Sequence, residues 1–148
     1  MEAPKTPVQW YAMIVGGVML ALGVLALVTG STGFGTVDSG SGQDFLIWRV
    51  NGWDAVLFMA TGAAGLFAAS RIDSARTFAL AAGIVYAVMA VWGFIDGGSV
   101  FGLFAVDTTD NITSAIVAAL GLGIALPSES VQREAGYDPA HKGRPTHA

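Results

Sequence analysis

Residues 11–30, YAMIVGGVMLALGVLALVTG, carry no charge at all. At 1.5 Å of rise per residue, a helix over this run crosses the roughly 30 Å hydrocarbon core of a bilayer. Working outward, three more uncharged runs follow, from Ala55 to Ser70, from Thr77 to Ile95 and from Asn111 to Pro127. The second and fourth of these four runs reach spanning length only with their polar N-terminal turns included. None alternates with period two, as a membrane barrel strand must, and a helix alone satisfies every backbone amide within its own segment. A soluble bundle would need polar stripes that these runs lack.

Composition agrees, with 53% hydrophobic and 12% charged residues and a mean hydropathy of +0.60, too little charge to cover a water-facing surface. The expected fold class is all-α, an integral membrane four-helix bundle built from two tandem helical hairpins. Residues 1–10 form its N-terminal segment, residues 11–127 the four-span domain and residues 128–148 a polar, proline-bearing tail expected to be flexible. A secretory signal is the competing reading of the first run, which is longer than a usual signal core.

Charge placement sets the expected orientation. Of the seven basic residues, Lys5, Arg71, Arg76, Arg133, Lys142 and Arg144 fall on one side of the four spans, and Arg49 alone falls on the other. By the positive-inside bias, the first side and both termini are cytoplasmic. Arg49 then shares the outer face with Asp38, Asp44, Asp96 and Asp107. Trp10, Tyr11, Trp48, Trp53 and Trp92 stand near span ends, where amphipathic rings favour the headgroup zone. The first outer connection begins as GSTGFGTVDSGSGQ and ends as FLIWRV, an apolar stretch expected to lie on the membrane surface or to cover the bundle.

The two halves resemble each other. GVMLALGVLALVTG from Gly17 parallels GIVYAVMAVWGFIDG from Gly83, and VNGWDAV from Val50 parallels VDTTDNI from Val106. Two hairpins in tandem would share one orientation about an axis along the membrane normal. Between spans, packing is expected through small residues spaced by four: Gly17 and Ala21; Ala60, Ala64 and Ala68; Ala75, Ala79, Gly83 and Ala87; Ala115, Ala119 and Gly123.

The segments VNGWDAVLFMATGAAGLFAAS and FGLFAVDTTDNITSAIVAALGL make the chain resemble an actinobacterial family of four-span membrane proteins, domain of unknown function 4383, over about Val18 to Leu126. In that family the second span opens with an asparagine followed by histidines. The fourth opens with an asparagine or aspartate, an aspartate-asparagine pair and a histidine. Asn51, Asp107, Asp110 and Asn111 match this pattern, while Asp54, Phe58 and Ser114 stand at the histidine positions. The resemblance implies a fold and a bacterial cytoplasmic membrane location, and it names no reaction.

The strongest polar constellation is Asn51-x-x-Asp54 with Asp107-x-x-Asp110. Both read first as helix caps, in which the cap side chain accepts a backbone N–H and the acid three positions on reaches back. The alternative is a carboxylate pair across the pseudo-axis that binds a cation or exchanges a proton, with Arg49 able to neutralise either member. Asp96, Asp107 and Asp110 match no EF-hand spacing, and His141 and His147 lack partners at ligand spacing, so no metal site is expected. Asn111-Ile112-Thr113 fits a glycosylation pattern but sits at the mouth of a span.

With no cysteine in the chain and no histidine in the spans, the usual nucleophile–base pairs and nitrogen or sulfur metal cages are lacking there, and no enzyme or cofactor is expected. Thr61, Thr113 and Ser114 are too few to line a transport path. The leading expectation is a non-enzymatic accessory or structural subunit acting through helix–helix association. Its partners are lipid and other membrane subunits or itself, without nucleic acid. A proton- or cation-linked carrier or sensor is the second.

Overall fold

The computed structural model describes residues 5–29, 33–37 and 42–126. The expected tail and the start of the first outer connection lie largely outside them. Helix α1 covers Pro7–Val28, α2 Gly52–Ala68, α3 Ile72–Asp96 and α4 Thr108–Ala125. Two small antiparallel hairpins accompany them: β1 (Gln43–Phe45) with β2 (Trp48–Val50) before α2, and β3 (Ser99–Val100) with β4 (Phe104–Ala105) before α4. The four helices are those of the expected all-α bundle, and the hairpins are small additions to it. Their strands are too short to leave an alternation in sequence, and the turns between them lack the usual Asn-Gly or Asp-Gly pair.

The helices begin where local chemistry allows. Pro7 stands at the first position of α1, where its missing N–H costs nothing. Gln9 accepts the Thr6 N–H and donates to the Ala69 carbonyl, each at 3.1 Å, which ties the start of α1 to the end of α2. Helix α3 takes in Asp73 and Arg76 ahead of its apolar run and stops at Gly97, whose φ of 80° is the left-handed conformation that ends a helix cheaply with glycine. Helices α1, α3 and α4 are long and apolar enough to cross a membrane. Helix α2 has 17 residues, a length of about 26 Å, and it includes the polar turn at Trp53 and Asp54.

Contacts run in opposite chain directions within α1/α2 and within α3/α4, so the bundle consists of two antiparallel pairs. Tyr11 and Phe78 join the pairs at ring centroids 6.2 Å apart. The Tyr11 hydroxyl donates to the Val117 carbonyl at 2.8 Å, and the Tyr86 hydroxyl donates to Thr61 Oγ1 at 3.3 Å. Ala12, Met19, Ala79, Ala82 and Ala118 complete this interior.

The α1–α2 seam is made by Gly16, Gly23, Gly62 and Gly65. A Cβ on Gly16 would lie 2.7 Å from the Leu66 nitrogen, so the backbones touch only because it is absent. This corrects the expected ladder. Gly17 faces open space, and Ala21, Ala60 and Ala64 are exposed. In the second pair Ala79 and Gly83 are buried, Gly121 meets the Ala79 carbonyl, Ala115 is half-buried, and Ala119 and Gly123 face outward. The spacing was legible, and the phase only on α3, where Ala75, Ala79 and Gly83 are buried as expected. These helices carry small residues on several faces, and a shift of one position turns the ladder by about 100°.

Candidate functional site

The candidate site lies at the end of the bundle where α2 and α4 begin. Asn51 caps α2: its Oδ1 accepts the N–H of Trp53 at 2.9 Å and of Asp54 at 3.1 Å. Asp54 reaches back, and its Oδ2 accepts the Asn51 N–H at 2.9 Å. Asp107 caps α4 in the same way. Its Oδ1 accepts the Asp110 N–H at 2.8 Å, and Asp110 Oδ2 accepts the Asp107 N–H at 3.4 Å. Both are capping boxes in which the reaching side chain is an aspartate.

Each reaching aspartate also takes a second donor from the other half of the chain. Asp54 Oδ2 accepts the N–H of Ala105 on β4 at 3.1 Å, and Asp110 Oδ2 accepts the N–H of Arg49 on β2 at 3.2 Å. Arg49 and Ala105 occupy equivalent places, two residues before their own cap residue. The hairpins therefore exchange partners: the strand that leads into one helix is held by the acid at the start of the other. The Asn51 Nδ2 donates to the Leu103 carbonyl, and Trp48 Nε1 donates to Thr113 Oγ1 at 3.0 Å, adding a bond in each direction.

Burial makes this clasp consequential. Asn51, Asp54, Asp110 and Asn111 are exposed by only 1%, 3%, 8% and 4%. A buried carboxylate loses its hydration and must be repaid by donors, and here backbone amides provide them. Among the described residues no buried side-chain nitrogen or oxygen lacks a partner. The contact from Arg49 runs through its backbone N–H, so the expected neutralisation of Asp54 or Asp110 by its guanidinium gives way to a main-chain bond.

The other singled-out residues are placed as follows. Asn111 packs its side chain against the backbone of Gly93, where any Cβ would collide with it. Its burial leaves no room for a glycan. Asp96 is exposed and accepts the Ser99 hydroxyl at 2.6 Å, which starts β3. Phe58 and Ser114 are half-buried, and Phe58 packs on the core. Among the described residues no three His, Cys, Asp or Glu side chains gather as a metal-ligand group.

Sequence reasoning found both caps, missed Ala105, Leu103 and Gly93, and gave Trp48 and Thr113 other roles than the bond that joins them. One clue was present. Aligning VNGWDAV with VDTTDNI puts Arg49 opposite Ala105, the two positions whose amides are exchanged.

No curated protein and no solved structure matches the chain. A family model described as "Domain of unknown function (DUF4383)" matches residues 9–126, a stretch that holds nearly all of α1, both hairpins and the other three helices. The chain therefore belongs to the DUF4383 family.

Proposed function

We propose that this protein is a non-enzymatic accessory or structural subunit of the bacterial cytoplasmic membrane. In this reading it acts through helix–helix association, with four spans and both termini on the cytoplasmic side. One observation carries the reading: small residues stand on outward faces of the bundle, where no helix among the described residues covers them. Ala60 and Ala64 border an open groove between α2 and α3, with cavities of about 460 and 240 Å³ and Ala81 and Phe78 on the opposite wall. Small residues let a second helix approach closely enough for dispersion and Cα–H contacts to hold it in lipid. The reciprocal clasp supports reading the halves as two copies of one helical hairpin, fixed to each other at one end.

The test is native mass spectrometry and crosslinking of the full chain in mild detergent, beside an Ala60→Leu/Ala64→Leu variant. The expected result is an oligomer or a stable partner complex for the parent chain, lost in a variant that stays folded. A strictly monomeric parent without partners contradicts the reading.

The second reading, a proton- or cation-linked carrier or sensor, draws on the burial of Asp54 and Asp110. Replacing both by asparagine and measuring ion flux in vesicles decides it, because flux that is absent, or unchanged by the replacement, removes the idea.

A further inference from the structure

Both hairpin turns hold large apolar side chains in a backbone conformation that ordinarily selects glycine. Leu46 has φ of 55° and Phe101 has φ of 54°. Positive φ crowds the side chain against the backbone, and such turn positions usually go to Gly, Asn or Asp. Yet Leu46, Ile47 and Phe101 are exposed by 72%, 64% and 55%. A turn facing water gains nothing from such residues, and their recurrence in both turns calls for a common surroundings.

Phe101 indicates what those surroundings are. Its ring packs on Trp92 with centroids 4.6 Å apart. Trp92 lies on the outward side of α3, where Val91 and Ile95 are also exposed. It stands about 6 Å along the axis from Asp96, the last residue of α3. The β3–β4 turn thus extends the apolar flank of a helix long and apolar enough to cross a membrane. The backbone sets the opposite limit. Irregular turns and short open sheets do not sit lipid-exposed within the hydrocarbon, and Asp44 on β1 is exposed.

We propose that the two turns are membrane-surface anchors. Leu46, Ile47 and Phe101 sit at the boundary between acyl chains and headgroups of the leaflet around the capped end, and the strands lie along the headgroup layer. The occupant of this surface is lipid, because Phe101 is continuous with the apolar flank of α3 and because aromatic and aliphatic side chains favour that depth.

The chain's lack of cysteine makes the test direct. Leu46→Cys and Phe101→Cys, each carrying a nitroxide in the full-length chain in phospholipid vesicles, are compared by power saturation with oxygen and with a water-soluble nickel chelate. Val18→Cys, on the exposed face of α1, and Asp44→Cys serve as references. Both turn labels are expected to be several-fold more accessible to oxygen than to nickel, as at Val18, with the order reversed at Asp44. Nickel accessibility at the turns equal to that at Asp44 overturns the proposal, and so does shielding from both reagents, which would mean that protein covers them. A Val18 label open to nickel would instead sink the membrane-spanning reading itself. Should either variant fail to fold, Ile47→Cys and Leu103→Cys on the same turns give the same comparison.

Discussion

The backbone N–H of Ala105 donates to Asp54 Oδ2 at 3.1 Å, although 51 positions separate the two residues in the chain. Its counterpart joins Arg49 to Asp110 at 3.2 Å. One oxygen in each case ends a helix cap and fixes a strand of the opposite hairpin, so local capping and long-range assembly are the same interaction. Asp54→Ala therefore takes the Asp54 acceptor from two buried amides, a loss of about 1–3 kcal/mol for each. Thermal unfolding in detergent should show the drop. The bonds to Asp110 are longer, at 3.2 and 3.4 Å, so Asp110→Ala should cost less than Asp54→Ala.

Because the two acids hold the same assembly from opposite sides, their effects should not add. In a double-mutant cycle, Asp54→Ala with Asp110→Ala is expected to destabilise by less than the sum of the single changes, since either one already loosens both hairpins. Strict additivity would mean that the caps act as separate local devices.

The α1–α2 seam makes a contrasting pair of predictions. Gly62→Ala puts a methyl group into the backbone of Leu20 and should cost about 1–3 kcal/mol, with separation of the helix pair visible by crosslinking. Gly17→Ala enters open space and should be neutral or stabilising by up to about 1 kcal/mol, because alanine is the better helix former. Equal effects at the two sites would argue against the seam described above.

Leu46→Gly separates backbone strain from side-chain anchoring. With φ of 55° at this position, glycine should relieve about 1 kcal/mol of conformational cost and raise the unfolding midpoint in detergent. A lowered midpoint would show that the leucine side chain holds the hairpin by contacts within the protein.

The helices were legible because charge-free runs of spanning length have few other solutions, and the caps were legible because Asn51-x-x-Asp54 and Asp107-x-x-Asp110 carry their own local chemistry. The phase of the helix contacts was legible on α3, through Ala75, Ala79 and Gly83, and not on α1 and α2. With Gly16 beside Gly17 and small residues throughout 60–65, ladders at a spacing of four fit more than one face, and only the neighbouring helix selects among them. The hairpins left even less trace. Leu46 and Phe101 sit where turn chemistry would place glycine, and strands of two or three residues show no alternation. Nor do the exchanged bonds have a sequence signature, since their donors are backbone amides that any residue but proline supplies.

The four-span arrangement proposed above puts the clasped hairpins and the turn between α2 and α3 on opposite sides of the bilayer. It is tested most directly by adding a membrane-impermeant maleimide to sealed vesicles of known orientation holding Asp44→Cys or Ser70→Cys. The account expects one of the two to react from outside and the other only after the vesicles are opened. Reaction of both from the same side, before opening, would contradict it.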